Sequence, residues 1–210
     1  MAFSIRHCHD WIADRPSARA RFVVTLPPAP SHVGQALEKL AGSAFVSLTD
    51  TKDAFLHLAK RAKERFIILT PFIDAVGAAW ASDLFSATDA KEKILVVRES
   101  ALLDNCGSSG ERLKTGSIQL FDYVQEELRD GQVHIETFHA KIVLADGIAA
   151  YVGSAKLLYL SRELNLECGF LLDGDAVAPV AILVDAVLLA LRVDRLDSLP
   201  TRKITVEKWF

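Results

Sequence analysis

Cysteine is scarce in this chain, with three among 210 residues. Cys8, Cys106 and Cys168 are odd in number and show no paired spacing, so a disulfide framework is excluded. The first segment lacks the apolar core of a secretion signal, and a reducing cytoplasm is the expected location. An excess of charge is also missing. Twenty-four Lys and Arg against 27 Asp and Glu leave a net charge of −3, which argues against a protein that coats nucleic acid non-specifically but leaves room for a local basic cleft. No aromatic interleaving of the kind that stacks single-stranded bases is present, and no internal repeat. Long apolar runs are few. The longest, residues 176–193, is interrupted by Pro179 and Asp185, falls short of a membrane span, and is expected to form a core or dimer-interface helix. His7-Cys8-His9-Asp10 has no second ligand pair at zinc-site spacing, so neither a metal nor another cofactor is expected.

What remains is half hydrophobic and about a quarter charged, enough for one sizeable core. The expected organisation is an N-terminal arm over 1–30 that packs through Trp11, Phe22 and Val23, a main domain over 31–195, and a C-terminal tail over 196–210. Ser31 caps a helix whose Val33, Ala36, Leu37 and Leu40 share a face and which ends at Gly42. Residues 51–65 repeat the pattern with Phe55, Leu58, Ala59 and Ala62, then enter a strand over 66–70. A helix over 78–85 and a strand over 93–98 follow. Residues 99–116, rich in Gly and Ser, predict a long loop in which Arg112 and Lys114 are candidate substrate contacts. Ser117 predicts a helix with Leu120, Phe121, Val124 and Leu128 inward and Gly131 at its end. Strands are expected over 132–136, 137–144, 148–152 and 163–172. Such alternation implies an α/β domain, a mixed sheet with helices on both faces.

The densest chemistry lies in one stretch. His139-Ala-Lys141, Asp146 and Gly153-Ser154 form H-x-K-x(4)-D-x(6)-G-S. A phosphodiester is a weak electrophile wrapped in negative charge, so cleaving it without a metal takes a nucleophile, fixed positive charge and a proton donor for the leaving oxygen. A histidine ring nitrogen can attack phosphorus, a second, protonated histidine can deliver the proton, and lysine neutralises the phosphoryl oxygens. On a strand His139 and Lys141 would point to one face. Gly153 would allow close approach of the backbone to a ligand, with the Ser154 hydroxyl beside it. Asp146, followed by Gly147 in a turn, fits a structural role as well as a catalytic one.

This stretch resembles the phospholipase D superfamily, whose signature continues with Ser161, Asn165, Glu167 and Gly169. Upstream, residues 66–74 resemble the strand and loop that open the domain, and residues 93–98 its next strand. The resemblance implies a phospholipase-D-like fold with one motif per chain, with Glu167 accepting a hydrogen bond from His139 and orienting it. It departs at Lys156, where the family commonly has Asn two residues after the serine. Facing inward, Lys156 would disfavour the protonated form of His139 and favour phosphate binding.

The implied catalytic set is His139, Lys141, Asp146 and Glu167, with Gly153, Ser154, Lys156 and Asn165 binding substrate and no metal. Because the site needs two motifs and the chain carries one, a homodimer is implied, its interface along the edge carrying His139 and Lys141. The implied function is a metal-independent nuclease cleaving DNA or RNA through a phosphohistidine, without a membrane partner. Some bacterial relatives resemble phospholipase-D-like components of anti-phage defence systems, which implies other defence proteins as partners. A weakly active nucleic-acid-binding or scaffold subunit is the alternative. A phospholipase or phosphatidyltransferase is disfavoured by the single motif and by the lack of an evident membrane-facing apolar surface.

Overall fold

The computed structural model describes residues 19–41, 49–130 and 132–197. Cys8 with its neighbouring histidines, Trp11, Gly42, Gly131 and the tail beyond residue 197 lie outside them. The chain runs β1 (Arg19–Thr25), α1 (His32–Ala41), α2 (Thr51–Arg61), β2 (Arg65–Leu69), α3 (Ala75–Ala87), β3 (Glu92–Val97), a 3-10 turn (Ser100–Asn105), α4 (Gly107–Thr115), β4 (Ile118–Asp122), β5 (Val124–Arg129), β6 (Gln132–Thr137), β7 (Ile142–Ala145), β8 (Ala149–Gly153), α5 (Tyr159–Glu163), β9 (Glu167–Asp173), a second 3-10 turn (Gly174–Val177) and α6 (Ala178–Asp197).

Seven strands form a mixed sheet in the order β1-β9-β8-β7-β2-β3-β4. β2, β3 and β4 are parallel, and β7, β8, β9 and β1 each join antiparallel. The central strands are apolar at nearly every position because both faces are covered. Alternate residues divide between two cores. Phe66, Ile68, Leu95, Val97, Val143 and Tyr151 pack under α2, α3 and α4 through Phe55, Leu58, Trp80, Leu84 and Leu113. Ile67, Leu69, Ile94, Val96, Ile142 and Leu144 pack under α6 through Val184, Leu188 and Leu191. Each such side chain contributes about 2 kcal/mol on burial. The expected α/β architecture, with helices on both faces, is the observed one.

Helix α2 buries Phe55, Leu58 and Ala59 as its periodicity predicts, and Asp50 caps it at Asp53 N. Ser31 caps α1 through Gly34 N at 3.1 Å, although Val33 and Leu40 on the expected inner face are exposed. β1, within the expected arm, is the sheet's edge strand, with Val23 fully buried and Phe22 against Phe170.

Four expectations are corrected. The stretch after Ser117 is not a helix but β4, β5 and β6. Leu120 and Phe121 fit either period, whereas Asp130, at φ 52°, opens an Asp-Gly hairpin turn, the signal that decides for strands. Residues 99–116 are a 3-10 turn and a helix rather than a loop, because Leu103 and Leu113 are fully buried and Gly110 packs where a Cβ would sit 2.1 Å from Leu103 O. The expected strand over 163–172 starts only at Glu167, after α5. The apolar run is not interrupted. Pro179 falls in the first turn of α6, where its missing N–H costs nothing, and Asp185 pairs with Arg65 (Nη2 to Oδ2 3.3 Å). Residues 174–192 are long and apolar enough to cross a membrane by length and composition, yet Val184 and Leu188 lie on the sheet. The opposite face of α6 leaves Ile182, Leu183 and Leu189 52–70% exposed, so an apolar surface does exist.

One close approach ties α3 to the chain that follows β8. A Cβ on Gly77 in α3 would lie 1.6 Å from Leu157 O. Gly77→Ala is therefore expected to destabilise the fold by about 2–3 kcal/mol, as overpacking against an immovable carbonyl does, read as a lower urea midpoint.

Candidate functional site

The site gathers where β2 and β3 end, β7 begins and β8 ends. Ligands collect outside the carboxyl ends of parallel strands in α/β sheets because successive loops converge there. Two loops are latched to each other at this edge. Asp74 accepts from Gly77 N and Tyr159 N, each at 2.8 Å, capping α3 and holding the chain after β8. Asp74 N donates to Leu157 O at 3.2 Å, and Ile73 pairs with Leu157 in a parallel bridge. The Thr70 hydroxyl donates to Phe72 O and accepts from Leu157 N. Phe72 and Lys156 are thereby set facing one another, the Lys156 Nζ 5.7 Å from the Phe72 ring centre.

His139 and Lys141 do not lie on a strand as expected. The chain leaves the β5–β6 hairpin at Thr137, and ladder pairing resumes only at Ile142. Phe138 stacks on Tyr123 at 5.5 Å and anchors the intervening loop. Tyr123 in turn donates to Glu136, and that bond with burial pushes its pKa up to about 12. The loop still brings the pair together. Lys141 Nζ lies 2.9 Å from His139 Nδ1 and 3.4 Å from Nε2, and donates to His139 O at 2.7 Å. The exposed imidazole meets the Phe72 ring edge-on, 6.1 Å between centres. The Arg98 guanidinium stands 5.3 Å from the centre of the same ring.

Three cations thus surround one histidine, and the electrostatics follow. Desolvation and then Lys141, Lys156 and Arg98 lower the His139 pKa below the ordinary histidine value. The Lys141 ammonium is pushed down by desolvation and Lys156, against an opposing pull from Glu167. Lys156 faces inward. Desolvation and these cations favour the neutral imidazole, which has a free lone pair with which it can attack an anion that the same cations attract.

Glu167 is buried, 5% exposed, but its bond is not to His139. It accepts from the Ser154 hydroxyl, which also accepts from Cys168 N at 3.0 Å. Glu167 therefore orients Ser154, and the expected histidine contact is corrected. Gly153 is required by its own sheet, whatever a ligand asks of it. A Cβ there would sit 2.3 Å from the Tyr151 hydroxyl, whose ring lies under the cross-strand pair Gly153 and Gly169. Asn165 closes the turn after α5 through its N–H to Leu160 O at 2.7 Å, with an exposed side chain. Arg112 and Lys114 are not at the site. Arg112 and Lys93 line a separate cavity of about 260 Å³ at the opposite ends of β3 and β4, and Lys114 pairs with Asp104.

Asp146 is likewise at the far end of β7. In the turn at φ 54°, its carboxylate accepts from Lys63, Glu64 and Arg65 N–H groups at 2.8–2.9 Å. Burial alone would raise its pKa, and the three donors outweigh that and hold it below the usual carboxylate range. Its role is to start β2 in register. Sequence reasoning missed Arg98, the first polar residue after the apolar run of β3, at the strand end where ligands gather. Among the described residues no group of three His, Cys, Asp or Glu could hold a metal ion.

No protein-family model and no curated protein matches the sequence. Solved structures do match. NucT from Helicobacter pylori is 11% identical, covers 84% of this chain and 96% of its own length, with a TM-score of 0.50. Nuc from Salmonella typhimurium, a phospholipase D family member, is 12% identical over 89% of this chain and 99% of its own, with a TM-score of 0.44. Phosphatidylserine synthase from Haemophilus influenzae is 14% identical over 82% of this chain and 38% of its own, at 0.46. The chain shares the fold of NucT. In this fold the histidine and lysine of the H-x-K-x(4)-D stretch sit in the loop entering β7, beside a cation, Arg98, that lies outside that stretch.

Two measurements test these assignments. In a proton NMR titration His139 is expected to ionise below the ordinary value of about 6.5, and Lys156→Asn to move it upward. Asp146→Ala should cost about 2 kcal/mol of stability at neutral pH. Because its carboxyl is depressed in the fold, that contribution is present above the unfolded value of about 3.9 and is lost as pH falls through the folded one. The difference in urea midpoint between the two proteins should shrink in acid.

Proposed function

We propose that this phospholipase D fold is a metal-independent phosphodiesterase, a nuclease working as a homodimer. The observation that carries the reading is the His139 imidazole held 2.9 Å from the Lys141 ammonium, with Arg98 and Lys156 on the neighbouring Phe72 ring. A ring nitrogen of His139 attacks phosphorus, and the bond from phosphorus to the leaving oxygen breaks. His139 of the partner subunit, protonated, gives that oxygen its proton and then takes one from the water that hydrolyses the phosphohistidine. Lys141, Lys156 and the Ser154 hydroxyl hold the phosphoryl oxygens. A single chain supplies one motif histidine, so pairing is part of the mechanism. Exposed Val133 and Ile135 on β6, directly before His139, are 54% and 53% exposed and support a covered surface there, since an isolated hairpin is marginally stable in water.

A second reading has its own support. With Glu167 committed to Ser154, the imidazole lacks a carboxylate to orient it, which favours a subunit that binds nucleic acid without efficient turnover. Cleavage of labelled DNA and RNA in EDTA separates the two, with a phospholipid substrate in parallel to test the apolar face of α6. Chelator-resistant cleavage of nucleic acid, reduced at least 1,000-fold by His139→Ala at matched dimer content, is expected. Binding without cleavage by either protein would replace the nuclease with the binding subunit.

A further inference from the structure

We infer that Arg98 is a second phosphate clamp, holding the phosphate next to the one that His139 engages, so that the site takes a strand of consecutive phosphates and not an isolated phosphodiester. This rests on the phosphodiesterase reading and extends it to residues beyond the motif.

The argument is one of position. In the sheet the strands follow in the order β8, β7, β2, β3, and each delivers one group to the same edge. Lys156 follows β8, His139 and Lys141 precede β7, Phe72 follows β2 and Arg98 follows β3. Neighbouring strands are about 4.8 Å apart, so this row is roughly 14 Å long, and Arg98 stands about two strand spacings from the histidine. One phosphate cannot span that row. Lys141 and Lys156 flank the reacting position, which leaves Arg98 for the next phosphate along.

The state of Arg98 agrees. Arg61, Arg65 and Arg192 each pair with a carboxylate. Among the described residues Arg98 has no such partner, and its buried Nε has no hydrogen bond. Asp122, opposite Val97 in the ladder, is committed to the Ser100 N–H and hydroxyl. The guanidinium carbon stands over the Phe72 ring, a contact that takes up a face of the group and not its terminal N–H groups, which are the ones that reach phosphate oxygens.

The test uses the full chain carrying His139→Ala, so that nothing is cleaved. Binding of a single-stranded oligonucleotide and of a dinucleotide with one phosphodiester is titrated with and without Arg98→Ala. The oligonucleotide is expected to weaken about tenfold, and the slope of log affinity against log salt to fall by about 0.7, the value for one single-strand phosphate contact. The dinucleotide should change less than twofold. Arg98→Lys, which keeps the charge but not the fork, should retain the slope and lose affinity severalfold, and it carries the test if the alanine variant fails to fold. Equal weakening of both ligands would place Arg98 on the reacting phosphate, and no change in either would remove it from the site; both overturn the clamp. Oligonucleotide binding that depends on Arg98, while the protein with His139 intact cleaves no nucleic acid, would sink the nuclease and leave the clamp standing.

Discussion

The insertion of β7 antiparallel between β8 and β2 is the constraint on which the site depends. Its four residues are all at most 3% exposed, so the strand cannot slip by one position without driving Ile142 and Leu144 into the wrong core. Its two ends are fixed differently. At one end Asp146 collects three backbone N–H groups and sets where β2 begins. At the other end Gly153 N donates to Lys141 O at 3.3 Å, and the loop with His139 starts from there. A motif that reads as a list of catalytic residues is, in this fold, a strand with a structural turn at one end and chemistry at the other.

The second constraint is the latch around Asp74. One carboxylate satisfies the first turn of α3 and the backbone at Tyr159, which ties the loops after β2 and β8. Ile73, Ala155 and Leu157 bury these loops in the core, and the latch sets the Lys156 ammonium over the Phe72 ring. Gly77 belongs to the same device, since only a missing Cβ lets the helix meet Leu157 O so closely.

Legibility followed from how local each signal was. β2, β3 and α2 were readable because their apolar pattern is set by burial alone. His139, Lys141, Lys156 and Ser154 were readable as one cluster because the spacing from 139 to 156 matches a strand, a turn and a return strand. The β4–β6 stretch was not, since Leu120, Phe121, Val124 and Leu128 fit a helical face while Asp130-Gly131 marks a hairpin. Asp146, Gly153 and Glu167 kept their place in the motif, but their contacts are with backbone, with Tyr151 and with Ser154. Such pairings are set by tertiary packing, which residue spacing does not encode. Arg98 lies some 40 positions before the histidine, and only the sheet order brings the two together.

The charge arrangement sets opposing demands on one residue type. Cations around the imidazole favour its neutral form, the form that attacks phosphorus, and they disfavour the protonated form that a leaving oxygen needs. In the proposed symmetric dimer both histidines would start in this same field, so the two roles would diverge only when substrate arrived. Bound phosphate would offset the nearby positive charge and make protonation of one ring less costly, while the attacking ring would give its lone pair to phosphorus. Proton donor and nucleophile would then be distinguished by the substrate's own asymmetry and not by the protein. Lys156 strengthens the field before binding and would itself be neutralised by a bound phosphate. A site built this way would couple the appearance of its acid to the presence of phosphate and keep the proton out of the empty cleft.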